Sequence, residues 1–126
     1  MKTPGIRERS YAFALRTIKL AKRLQRDQLG TVLWRQLLRS GTSVGANVEE
    51  AQAAQSKRDF VHKISIARKE AHENHYWLRL FRDGELAPKG TLDNLIGEAD
   101  QLVRILSSIV KTAERSAKSS TKGSST

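Results

Sequence analysis

The chain is 126 residues long, one domain's worth, and contains no cysteine, which excludes disulfides, thiolate metal sites and a cysteine nucleophile. Twenty-three Lys and Arg stand against thirteen Asp and Glu, a net charge of +10 at pH 7. That balance points to a polyanionic partner, nucleic acid or anionic membrane, and names no enzyme class. The longest unbroken apolar run, Tyr11 to Leu15, is far short of the roughly 20 residues a membrane-spanning helix needs. The opening MKTPGIRERS has no apolar signal core, so the expected location is the cytoplasm.

Pro4 and Gly5 precede the first periodic segment. Over 6–27, Tyr11, Ala14, Leu15, Ile18 and Ala21 share one helical face, and Phe13, Leu20 and Leu24 form a neighbouring stripe. Gly30 is placed to close this helix on a left-handed residue. The second helix, 31–54, sets Leu33, Leu37, Gly41, Val44, Val48 and Ala51 on a seam. Gly41 and Gly45, four apart, predict close approach of a neighbouring helix. A phosphate-cradling loop is a weak alternative, because GTSVG is followed by no Gly-Lys-Ser/Thr.

Ser56-Lys-Arg-Asp59 resembles a capping box that opens a third helix at 57–82. Its seam is Phe60, Ile64, Ala67, Ala71, Asn74, Leu78 and Phe81, and a seam Asn usually fixes register. Ile66, Trp77 and Leu80 lie off that seam. With the spare stripe of helix one, they suit either a wide core face or a subunit interface. Asp83-Gly84 and Pro88-Lys89-Gly90 mark a turn, with Thr91 as the N-cap of a fourth helix at 91–113. Its seam is Leu92, Leu95, Ala99, Leu102, Leu106, Ile109 and Ala113. Four such helices joined by short connections predict an all-α, up-down antiparallel four-helix bundle over 1–113. A disordered Ser/Lys-rich tail is expected over 114–126.

The charge is uneven. Residues 1–27 hold eight bases and two acids (+6), 28–55 two and two, 56–82 seven and three (+4), 83–113 three and five (−2), and 114–126 three and one (+2). Helix one aligns Arg9, Arg16, Lys19, Arg23 and Arg26. Helix three carries Arg58, His62, Arg68, Lys69, His72, His75, Arg79 and Arg82 in an outward band. Acids placed to pair with these at i,i+4 are few. The candidate nucleic-acid contacts are therefore Arg16, Lys19, Arg23, Arg26, Arg68, Lys69, Arg79 and Arg82. Only Tyr76 and Trp34 stand as candidates for base stacking, so backbone contact with little sequence reading is expected.

Ser40, Ser43, Asn47 and Glu50 make a polar stripe on helix two, and Glu70 and Glu73 lie with Ile66 and Trp77 on helix three. The carboxylates suit a salt-bridge network between helices or subunits, with Arg35 or Arg39 as partner. A di-metal or acid/base site is the weaker reading. The bundle di-metal pattern needs Glu-x-x-His, and the sequence offers only Asp59-x-x-His62. No metal and no cofactor are expected. Gly41, Ser43, Gly45, Asn47, Glu50, Glu70, Glu73, Asn74 and Trp77 are read as structural or interface residues.

The run Arg39-Ser-Gly-Thr-Ser-Val-Gly-Ala-Asn47-Val-Glu-Glu50-Ala, then Ser56-Lys-x-x-Phe60, then Ile66-Ala-Arg-Lys-Glu70-Ala-x-Glu73-x-x-Tyr76-Trp-Leu-x-Leu80, resembles the bacterial four-helix bundle family. These are also called the ribosomal RNA intervening-sequence proteins, and they are related to the accessory protein of diversity-generating retroelements. The resemblance covers about 11–113. It implies a small, basic homo-oligomer, a pentamer where known. It also implies possible partners in RNA or DNA and, through the retroelement relative alone, a reverse transcriptase. The expected function is non-enzymatic: an oligomeric module that binds nucleic-acid backbone or acts as a scaffold. A protein–protein module without nucleic acid is the alternative, and a metal-dependent enzyme ranks last.

Overall fold

A computed structural model describes residues 5–24 and 28–124. Four helices follow one another: α1 (Ile6–Arg23), α2 (Gln28–Gln52), α3 (Lys57–Asp83) and α4 (Asp93–Ser124). No strand occurs among the described residues. α2 packs on α1 and α3, α4 packs on α3 and α1, and the backbones of α1 and α3 do not approach each other. The arrangement is a four-cornered bundle with α1 and α3 on one diagonal. Cross-links between opposite helix ends make neighbours antiparallel. Arg7 at the start of α1 pairs with Glu49 near the end of α2, and Lys57 at the start of α3 donates to Ser116 Oγ of α4 at 2.7 Å.

Local chemistry sets the boundaries. Ser56 is extended and its hydroxyl accepts from the Asp59 N–H at 3.0 Å, which starts α3. Gly90, at φ +85°, takes the left-handed position of the α3–α4 turn. Two expected caps fall elsewhere. Gly30 lies in the first turn of α2 rather than closing α1, which ends at Arg23 with an extended Leu24 behind it. Thr91 stays in the turn, its N–H donating to Pro88 O, and the Leu92 carbonyl accepts the first bond of α4 from Ile96. The backbone of α4 is helical to Ser124, past residue 113 where the sequence places the end of the bundle. Glu, Arg, Ala and Lys in 114–118 are good helix formers and extend a helix already nucleated by the core.

Phe13, Phe81, Leu37, Ile64, Leu78, Leu92, Leu102 and Leu106 are the large side chains of the core, each essentially inaccessible. Each contributes about 1.5–3 kcal/mol by leaving water. The seams expected for α2, α3 and α4 are the buried ones, with Leu33, Phe60, Ile109 and Ala113 at their half-buried margins. The α1 seam is not. α1 buries Ser10, Phe13, Thr17, Leu20 and Ala21, while Tyr11, Leu15 and Ile18 remain on the surface. Ser10 and Thr17 can sit inside because their hydroxyls donate to their own helix, to Arg7 O (3.2 Å) and Phe13 O (2.9 Å).

Candidate nucleic-acid interface

α1 has two outward sides, and its ion pairs tell them apart. Arg7 turns toward α2, where Glu49 takes it, and Arg9 turns toward α4, where Glu98 accepts both of its contacts at 2.6 and 3.0 Å. Arg16 and Arg23 follow Arg9 at seven-residue steps and so share its α4 side, with Lys19 beside them. All three are exposed and make no ion pair among the described residues. Arg26 lies outside the described residues.

The band on α3 is less uniform. Arg68 is half-buried, and Lys69 and Arg79 are exposed. Arg79 sits over the Tyr76 ring at 5.9 Å, and Arg82 donates to Asp83 at 2.8 Å. The Arg82 bond holds the Asp83 carboxyl below the usual range. His75 is pushed below the ordinary histidine value, by burial first and then by Arg79, with Asp100 opposing. Its charge at neutral pH is accordingly below that of an ordinary histidine. Because α1 and α3 are diagonal, the structure does not merge the two basic stripes. α4 stands between them with Asp93, Glu98 and Asp100 in its first half. Of the two stacking candidates, Trp34 is 4 % exposed and packs on Phe81 with centroids 5.0 Å apart. A residue that fills the core cannot stack on a base.

The residues 4–108 match the family described as 23S rRNA-intervening sequence protein. The chain belongs to that family. It is also similar to a crystal structure, at 1.70 Å, of a protein of unknown function from the S23 ribosomal protein family of Bacteroides thetaiotaomicron VPI-5482. The two are 39 % identical with a TM-score of 0.79, over 85 % of this chain and 99 % of that one. A comparison with curated proteins finds no match.

In the structure the motif residues of helices two and three pack and pair between and within helices. Arg39 of α2 donates to Glu70 at 2.9 Å and to Glu73, clamping two carboxylates of α3. Arg35 is exposed and forms no ion pair with either carboxylate. The Arg39 bond lowers the Glu73 carboxyl, and the Trp77 indole helps. That indole N–H is buried without a partner at hydrogen-bonding geometry. Glu50 pairs with Lys63 of α3 at 2.9 Å. Asn47 donates to Ser43 O of its own helix at 2.9 Å, and Ser43 is half-buried beside the seam. Asn74 is fully buried and donates to Leu37 O (3.0 Å) and Ser40 Oγ (3.1 Å), tying α3 to α2. Gly41 and Gly45 face α1 directly. A Cβ on Gly41 would stand 3.0 Å from both Asn74 Nδ2 and Thr17 Oγ1, and one on Gly45 would stand 3.2 Å from Ser10 O.

Proposed function

We propose that this protein is a non-enzymatic, self-associating bundle that holds the phosphodiester backbone of RNA or DNA through the α4-facing side of α1. One observation carries the reading. Arg7, Arg9, Arg39, Lys63, Arg82 and Arg104 each have an acidic partner, whereas Arg16, Lys19 and Arg23 are exposed with none among the described residues. Unpaired cations in a row are what counterion release requires. Exposed apolar residues on α1 and α2, Tyr11, Leu15, Ile18 and Leu38 among them, support self-association, which would multiply the charge presented.

Replacing Arg16, Lys19 and Arg23 by Gln together tests the reading. Binding to a mixed-sequence RNA or DNA oligonucleotide, measured by anisotropy at about 50–200 mM salt, is expected to weaken uniformly across sequences. The slope of log K against log salt should fall by about one per cation removed. An unchanged slope rejects the interface. Failure of the unaltered protein to bind either polymer at about 50 mM salt favours the protein–protein module instead.

A further inference from the structure

Taken as a whole, 83–113 is mildly acidic, yet α4 is polarised. Asp93, Glu98 and Asp100 occupy its first turns, and Arg104, Lys111 and Arg115 its later ones, where Glu114 is an acid that does not line the groove formed there. The helix dipole favours this order only within the first and last turn. Arg104 to Arg115 lie more than two turns before Ser124, so the dipole does not account for them. They line an open groove of about 400 Å³ on α4, interleaved with the hydroxyls of Ser107, Ser108 and Thr112. Arg104 pairs with Asp100 at 3.0 Å. Lys111 and Arg115 are exposed and have no ion pair among the described residues.

α3 adds to the same end. Lys57 reaches Ser116, and α3 runs antiparallel to α4 from there, so Arg68 falls level with the 104–107 stretch. The groove is on another face of α4 from the one that meets α1: Lys111 lies about 140° around the helix from Glu98, which takes Arg9. None of the chain's seven aromatics lines the groove, which leaves phosphate contact without base stacking.

We infer that the groove of Lys111, Arg115 and their neighbouring hydroxyls is a second phosphodiester-backbone site, on a face of α4 turned away from the α1 row. The inference rests on the proposed nucleic-acid function and extends it. Each chain holds backbone at two separated points, so a short polymer can occupy one and a longer one can engage both.

The experiment compares Lys111→Gln/Arg115→Gln with Arg16→Gln/Lys19→Gln/Arg23→Gln and with the five-fold combination. The probe is a mixed-sequence RNA duplex of about 20 base pairs, read by anisotropy across salt, with its DNA counterpart alongside. The α4 pair is expected to lower the salt slope by about 2 and the affinity at about 50 mM salt by about tenfold. Its slope loss should add to that of the α1 triple. The charge-preserving pair Lys111→Arg/Arg115→Lys should restore the slope, and thermal midpoints should not move. A normal slope for the α4 pair with a reduced slope for the α1 triple overturns this site and leaves the α1 interface standing. Normal slopes for both overturn the two together.

Discussion

Gly41 sits where three helices meet. Alanine is worth about 1 kcal/mol more than glycine in a helix interior, so Gly41→Ala would stabilise an open site. Here the added Cβ meets Thr17 from α1 and Asn74 from α3 at 3.0–3.1 Å, and both neighbours are fully buried. Repacking costs of about 1–3 kcal/mol then exceed the propensity gain, and Gly41→Ala is expected to lower the thermal midpoint. Gly97 is the control. It is exposed in α4 with nothing within 4 Å of a built Cβ, so Gly97→Ala should raise the midpoint. Equal signs for the two substitutions in thermal melts would refute this account. The close approach at Gly41 was legible from two glycines four apart. That its neighbours would be a hydroxyl and an amide was not, because nothing in the local pattern distinguishes a buried Thr17 from a surface one.

At the scale of elements, α2, α3 and α4 show their buried faces in the spacing of their apolar residues, and α1 does not. α1 carries two stripes of similar length. The one that turns inward contains Ser10 and Thr17, which any hydropathy pattern counts against it. The small residues of α2 decide the matter from outside the helix: Gly41 and Gly45 leave room for Thr17 and for the Ser10 backbone. The α2–α3 pairing was readable as a pair of carboxylates needing a cation, and Arg39 is that cation. Its contribution follows pH with a definite sign. The Glu73 carboxyl is lowered by the Arg39 bond. The stabilisation is complete above the ordinary carboxylate value of about 4.3 and is lost as pH falls through the lowered one. Glu73→Gln should therefore melt below the unaltered protein at pH 7, and the gap should close toward about pH 3. A gap that persists undiminished in acid would show that packing, not charge, links Glu73 to Arg39. His75 acts in the same direction at higher pH. Its proton affinity is reduced in the fold, so below about pH 6.5 the unfolded chain takes up that proton first and stability declines. A His75 titration midpoint at or above the free-histidine value, followed by NMR, would contradict this.

The whole molecule has two unlike sides. Among the described residues, every exposed large apolar side chain is on α1, α2 or α3, and none is on α4. Tyr11 lines an apolar cleft with Ala14 of α1 and Gly45 and Ala46 of α2, and Leu38 lines a second with Ala21 and Trp34. Arg16, Lys19 and Arg23 of α1 and Lys111 and Arg115 of α4 lie on the other side, around α4, whereas Lys22 falls on the Tyr11–Ile18 flank. Summing charge by segment concealed this, because acids and bases at opposite ends of one helix cancel. The separation makes the proposed self-association and the proposed polyanion binding separable by mutation. Tyr11→Glu with Ile18→Glu changes only exposed positions, 65 % and 37 % accessible, on the flank opposite the Arg16 row. Sedimentation at micromolar concentration should then show a smaller species than the unaltered protein, with the thermal midpoint of the subunit fold retained. Affinity for a long RNA should fall, since each monomer loses the linked copies that raise its effective concentration. Affinity for a short oligonucleotide that occupies one subunit should hardly change. A variant of unaltered mass would remove this flank from the assembly contact. Equal losses for long and short RNA would mean that the added negative charge, not the loss of copies, weakens binding.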